Sequence, residues 1–225
     1  MSMFETQTVH CPACGTAATA DLFYSVNADR RPDLRDAVID GSFQRLTCAN
    51  CQASFRIDPE FNYLDLGRGQ WISVHAFSRL GDWAAVEAAD QIAFDKAYGT
   101  AASAGARAIG DTLAVRIVFG WPAFREKLVA AENGLDDREL ELLKMAILRT
   151  RDNEPLSNTV ELRFVEKAPD GLVLTWVDAT TDAAAETLLV PQRAYDQIEA
   201  NVEDWGALRD ELKQGPFVDM QRLMI

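Results

Sequence analysis

Histidine, cysteine and long apolar runs are all scarce in this chain, and each scarcity narrows what it can be. Only two histidines, His10 and His75, occur in 225 residues, which leaves little material for imidazole chemistry or histidine-rich metal sites. No window approaches the roughly 20 apolar residues of a membrane-spanning helix. The start, Met1 to His10, has no basic region followed by an apolar run, so neither a membrane anchor nor a secretory signal is expected. The dinucleotide, phosphate-loop, metalloprotease and nucleophile-elbow signatures are missing. Their absence lowers the expectation of an enzyme without removing it. Internal repeats and low-complexity segments are missing as well.

Cations are also outnumbered, with 22 Lys and Arg against 35 Asp and Glu and a formal net charge of -13. Residues 1 to 80 hold seven basic and nine acidic side chains, so nearly all the excess acidity lies downstream. Affinity for a nucleic-acid backbone comes from cations that displace its counterions, and nucleic acid is therefore not the expected partner. The one local exception is the cluster Arg30, Arg31, Arg35 and Arg45, which reads first as a solvated face and second as a small anionic contact. A hydrophobic fraction of 48% with 25% charged residues is globular composition, and the chain is long enough to bury a core without a metal.

What is present is a pattern of cysteines. All four fall in two CxxC pairs, Cys11-Pro12-Ala13-Cys14 and Cys48-Ala49-Asn50-Cys51, giving C-x2-C-x33-C-x2-C. A CxxC turn aims two sulfurs at one ion, and two such turns supply the four-thiolate tetrahedral shell of a structural zinc site, one Zn2+ per chain. Iron uses the same ligand set, and a redox dithiol uses the same spacing. Two complete pairs in one region favour metal. Pairing by metal also fits a reducing, cytoplasmic compartment. His10 adjoins a ligand but is not needed as one, and no residue stands out as catalytic or cofactor-binding.

Taken in order, Ala20 to Val26 has strand composition, and Pro32 to Asp40 reads as a helix stopped by Gly41. Ser42 to Thr47 and Ala53 to Ile57 read as strands flanking the second pair. Phe61 to Ala76 is an aromatic-rich strand region. A helix opens at Asp82 and ends at Gly99, and Thr100 to Gly110 lies between a mobile connector and a helical turn. Thr112 to Phe119 has strand composition but follows helical signals, so a buried helix competes. Trp121-Pro122 starts a helix to about Asn133, with Gly134 as its stop. Asp136 and Glu139 resemble a capping box for a helix over Asp137 to Thr150. Polar Arg151 to Asn158 marks a boundary. Beyond it, Thr159 to Glu166 and Leu172 to Val177 form a hairpin, Glu186 to Val190 adds a strand, Pro191 opens a helix to about Asp204, and the tail from Gly215 is expected to be extended.

These stretches resemble the bacterial CpXC-domain proteins, named for paired cysteine motifs. The resemblance rests on His10 to Gly15, Ser25 to Asp29, the Pro32 to Gly41 helix, Cys48 and Cys51, and Asn62 to Asp65. It continues through Arg116 to Phe119, Glu126-Lys127 and Leu135 to Arg138. It implies a zinc-ribbon-like module of uncharacterised role with the four cysteines as ligands, and it carries over no catalytic residue. The second pair departs from the family name, with Ala49 in place of proline and Gln52 in place of glycine, which predicts a looser second knuckle.

The expected fold is α+β: a zinc-ribbon-like module with a helix insert over 1–80, helices over 81–155 packed on it, and a C-terminal β-hairpin plus helix over 156–225. The metal ligands are Cys11, Cys14, Cys48 and Cys51. His75 is expected to be packed and hydrogen-bonded; the alternative is an acid–base pair with Asp65, which nothing in the spacing singles out. Asp136, Asp137, Glu139 and Glu141 read as capping residues on a solvated face, and the five tryptophans as core or interface anchors. Together these point to a non-catalytic zinc-binding protein that meets a protein partner or its own copy. The alternatives are an enzyme with a pocket between the ribbon and the C-terminal region, and nucleic-acid contact through the arginine cluster.

Overall fold

The computed structural model describes residues 2–151, 155 and 157–224. Strand β1 (Met3–His10) pairs antiparallel with β2 (Ala17–Asn27), from Met3 opposite Ser25 to His10 opposite Ala17. β1 is mostly exposed on both faces, so no apolar alternation announced it; the ladder and the Phe4–Phe23 ring contact at 5.3 Å hold it in place. Helix α1 (Pro32–Ile39) has proline in its first turn and buries Leu34 and Val38. Gly41, at φ 80°, turns the chain out of it. β3 (Arg45–Thr47) and β4 (Ser54–Arg56) make a small antiparallel sheet of their own.

β5 (Phe61–Asp65) and β6 (Gln70–His75) form the next hairpin. A 3₁₀ segment, Phe77–Asp82, leads into α2 (Trp83–Tyr98), and Asp82 makes no side-chain cap. The stretch after Gly99 contains the short helix α3 (Ala104–Gly110), capped by Ser103. The competition over Thr112 to Phe119 is resolved in favour of strand β7 (Ala114–Phe119), which lies parallel to β6. The five-stranded sheet has the order β1-β2-β5-β6-β7, with parallel pairing between β2 and β5.

Helices α4 (Trp121–Glu132) and α5 (Asp137–Thr150) follow, separated by Gly134 at φ 66°. The C-terminal sheet has the order β10-β9-β8, built from β8 (Val160–Ala168), β9 (Gly171–Asp178) and β10 (Ala184–Pro191). The single helix expected after Pro191 is two, α6 (Gln192–Ala200) and α7 (Val202–Leu212). Asn201 interrupts them and caps the second, its side chain accepting from the Asp204 amide. The tail is only partly extended, since Met220–Leu223 forms a 3₁₀ turn. Half of the boundary expected at Arg151 to Asn158 lies outside the described residues.

Helices cover both faces of the five-stranded sheet. Ile72 and Val74 join Val26, Tyr63, Val38 and Phe124 in a core under α1 and α4. On the opposite face Trp71 meets Phe94 of α2 at 5.3 Å, and Phe119 meets Phe217 at 5.2 Å. All six residues of β6 are buried for that reason. A second core joins α5, α6 and α7 to the C-terminal sheet through Leu142, Phe164, Leu174 and Trp176. Four of the five tryptophans, Trp71, Trp121, Trp176 and Trp205, are buried, and Trp83 packs at the core's margin.

Candidate metal centre and a buried charge network

The first CxxC pair is the turn of the β1–β2 hairpin and the second is the turn of the β3–β4 hairpin. The two turns have the same backbone wiring. In the first, the Cys11 amide donates to Thr16 O and the Gly15 amide to Cys11 O, at 2.9 and 2.8 Å. In the second, the Cys48 amide donates to Ala53 O and the Gln52 amide to Cys48 O, both at 2.9 Å. Gly15 takes φ 71° and Gln52 takes φ 61°. The second knuckle is therefore not open or differently shaped: Gln52 adopts the left-handed conformation that glycine supplies freely, at a cost of roughly 1 kcal/mol or more for a residue with a Cβ.

The four sulfurs lie within 4.8 Å of one another. Cys11 Sγ is 3.6 Å from Cys51 Sγ, and Cys14 Sγ is 3.6 Å from Cys48 Sγ. These separations exceed a disulfide bond of about 2.05 Å. They match the edge of a tetrahedron, about 3.8 Å, that four thiolates make around an ion at about 2.3 Å. The leading cysteine of each pair, Cys11 and Cys48, is buried, while Cys14 and Cys51 face outward. The cluster can thus hold one metal ion through four sulfurs. Hydrogen bonding with the side chain and backbone of Thr16, and then with Asn50, holds the Cys14 thiol down to about 5. The Ala53 amide pulls Cys51 the same way, but hydrogen bonding with Cys14 and burial push it up to about 12. A divalent cation among the sulfurs overrides both effects by favouring all four thiolates.

His10 is exposed at the end of β1 and is not in the sulfur cluster. His75 is buried and hydrogen-bonded, as expected, but its carboxylate partners are Glu60 at 3.0 Å on Nδ1 and Asp90 at 2.7 Å on Nε2. Asp65, the partner considered from sequence, instead receives Arg35 and the Tyr63 hydroxyl, both at 3.1 Å. Burial lowers the His75 pKa, but the two carboxylates outweigh it and raise the value above normal. The arginine cluster is largely paired: Arg31 with Asp33 at 2.7 Å, Arg35 with Asp65, and Arg45 with Asp182 at 3.0 Å.

The acidic run on α5 is not a solvated face. Asp136 caps the helix by accepting from the Arg138 amide. Glu139 closes no capping box, because it pairs with Arg209 of α7 at 2.7 Å. Asp137 and Glu141 point inward. Asp137 receives Arg116 at 2.6 Å and Lys127 at 3.1 Å. Glu141 is 0% exposed and lies 2.7 Å from Lys144 and 3.3 Å from Lys127. Lys144 also reaches Glu126 at 3.0 Å, and Arg163 joins Glu126, Glu161 and Asp219 at 3.0, 2.7 and 2.6 Å.

This network fills the space between α4, α5, β8 and the C-terminal segment, and seven of its charges are at most 4% exposed. Backbone groups complete it. Glu126 accepts from the Phe164 amide, Glu141 accepts from the Met220 amide, and Lys127 donates to Val218 O. Burial works against the charge on Glu126 and Asp219, but Lys144 and Arg163 hold Glu126 below its normal range, and Arg163 with Lys144 and Lys127 holds Asp219 at about 2. Burial wins at Glu141 and Glu161, whose pKa values are raised.

A family model described as CpXC protein matches residues 9–144. The chain belongs to the CpXC family. The match takes in both cysteine knuckles, the five-stranded sheet from Val9 onward, and the network as far as Lys144, and it leaves the C-terminal sheet outside. No curated protein and no solved structure matches this CpXC chain. Among the described residues, no helix is long and apolar enough to cross a membrane.

Proposed function

We propose that this CpXC protein is a non-catalytic, zinc-ribbon-like interaction module in which Cys11, Cys14, Cys48 and Cys51 hold one structural Zn2+. The observation that carries this reading is the sulfur spacing, which meets the edge of a four-thiolate tetrahedron with two matched knuckles and no open position. A closed shell supplies folding free energy rather than Lewis-acid chemistry, on the order of 10 to 16 kcal/mol apparent in small zinc peptides. Thiols available for metal are in keeping with a reducing cytoplasm. The metal would fix the relative position of the β1–β2 and β3–β4 hairpins, whose outward surfaces would meet a protein partner or a second copy, while the acidic remainder steers basic partners.

Elemental analysis of protein purified without added metal, with a thiol count on the same sample, tests the site. One zinc per chain and four thiols released only by denaturation or chelation supports the reading. Iron in its place replaces the ion and keeps the site, and two freely reactive thiol pairs without metal overturn it. A pull-down with folded, metal-loaded protein that recovers neither a partner nor a second copy counts against the interaction role.

A further inference from the structure

A cavity of about 530 Å³ opens between the cysteine-bearing hairpin and the C-terminal sheet. That volume lies within the range of small-ligand sites. Its floor is the face of the sheet carrying Val173, Thr175 and Val177, and its walls carry Trp121 and four arginines, of which Arg163 is committed to Glu126, Glu161 and Asp219 and the other three are Arg45, Arg56 and Arg125. In a chain with a net charge of -13, that concentration of arginine is unusual.

These three are under-compensated. Arg45 and Arg56 share a single carboxylate oxygen, Asp182 Oδ2, at 3.0 and 3.2 Å. The partner of Arg125 is a neutral carbonyl, Ile39 O, at 2.7 Å. Asp40 and Glu166 also border the cavity, but neither forms an ion pair with these arginines: Asp40 accepts from the Ser42 amide and acts on Arg56 only through space, and Glu166 is exposed. The Arg56 side chain is only 8% exposed and lies 3.8 Å over the Trp121 ring, yet its Nη2 has no hydrogen-bond partner. Burial pulls its pKa down to about 10, and Asp182 restores only part of that. A buried guanidinium nitrogen without an acceptor is costly and needs a group to receive it.

We propose that this cavity binds a small organic anion, a carboxylate or phosphate ester, whose charge meets the Arg45, Arg56 and Arg125 guanidinium groups. A flat apolar body on the same ligand would lie along the valine face of the sheet. Guanidinium groups recognise both anion types by paired, charge-assisted hydrogen bonds.

The test is calorimetric titration of the full-length, metal-loaded protein with phenyl phosphate and benzoate, and with benzyl alcohol as the neutral counterpart. Saturable binding of an anion but not of the alcohol is expected. Two variants lie on exposed positions, and the one partly buried contact they give up is the hydrogen bond between Thr187 and Thr175. Arg45→Gln should weaken binding about tenfold, the effect of one lost charge-assisted bond. Thr187→Trp, which puts bulk into the cavity from an exposed site on β10, should abolish it. Circular dichroism confirms that both variants fold. The proposal is overturned if neither anion binds, if the alcohol binds as well as the anions, or if either variant leaves anion affinity unchanged. None of these results bears on the metal content of the cysteine cluster, so the two readings fail separately.

Discussion

Replacing Lys144 with methionine is the most informative perturbation of the buried charge network. Methionine keeps the length and most of the volume of lysine, so packing changes little and the effect isolates charge. The Lys144 ammonium group is 0% exposed and lies within 3.0 Å of both Glu126 and Glu141. Among the seven innermost charges, Glu126, Glu141, Glu161 and Asp219 face Lys127, Lys144 and Arg163, so the variant leaves four carboxylates facing two cations. Removing one partner of a buried pair costs about 3 to 5 kcal/mol, because the remaining charge stays desolvated. For a domain of this size each kcal/mol lowers the melting temperature by about 2 to 4 °C, and the loss expected is roughly 6 to 20 °C. Urea unfolding at pH 7 should show a lower midpoint at unchanged slope.

Two further measurements separate charge from packing. Lys144→Met combined with Glu141→Gln restores the balance and keeps an acceptor for the Met220 amide, so it should recover most of the loss. The single variant should also be less impaired at pH 5 than at pH 7, because Glu141, already raised by burial, can take up a proton there. A loss under about 1 kcal/mol at pH 7, or a double variant worse than the single, would refute the reasoning.

Gln52→Gly should stabilise the metal-loaded protein by about 0.5 to 1 kcal/mol, by relieving the left-handed strain at φ 61°; a lower urea midpoint would show that the Gln52 side chain contributes more than its conformation costs. His75 has a raised pKa in the fold, so its contribution is fully present below the unfolded value of about 6.5 and is lost as pH rises through the higher folded value. Wild-type stability should therefore fall relative to His75→Gln across that window, and parallel pH profiles would contradict the assignment. Chelation should expose residues 9–57 to protease before the C-terminal sheet is cut, and a first cut beyond residue 160 would show that the knuckles do not depend on metal.

The sequence was most informative where local chemistry decides structure. Paired cysteines, the Pro32 and Pro122 helix starts, and the stops at Gly41, Gly99 and Gly134 all act within a few residues of themselves. The sulfur cluster was legible because spacing alone brings two thiols together. The expectation of a looser second knuckle comes from the glycine-to-glutamine exchange, and the structure shows where that exchange acts: the hydrogen-bonded turn holds Gln52 in the conformation of Gly15 without changing the knuckle's backbone shape. The charge network was missed for a different reason. Glu161 and Arg163 alternate with Val160, Leu162 and Phe164, the pattern of a half-exposed strand, and only the packing of α4 against β8 buries the polar side. A signal existed in the Glu126-Lys127 pair and the i,i+3 pair Glu141 and Lys144, but such pairs are also ordinary on surfaces. Asp182, which joins the β9–β10 turn to Arg45 and Arg56, lies 137 and 126 residues from those partners, beyond the reach of any local pattern.

The position of Asp219 also sets a schedule for synthesis. Chains emerge from the ribosome N-terminal end first, and domains usually fold in that order. Here Arg163 must wait 56 residues for the carboxylate at 219, and Lys127 must wait 91 residues for the carbonyl of Val218. While those residues are still in the exit tunnel, Arg163 lacks its carboxylate at 2.6 Å and Lys127 its carbonyl acceptor, and buried donors without those partners oppose closure of α4, α5 and β8, so the nascent chain should hold this region open until Asp219 has emerged. Stalled chains ending near residue 200 should be cut by protease within α4 and α5, and chains extended well past residue 219 should not. Equal resistance at both lengths would show that the segment arrives on a core already closed.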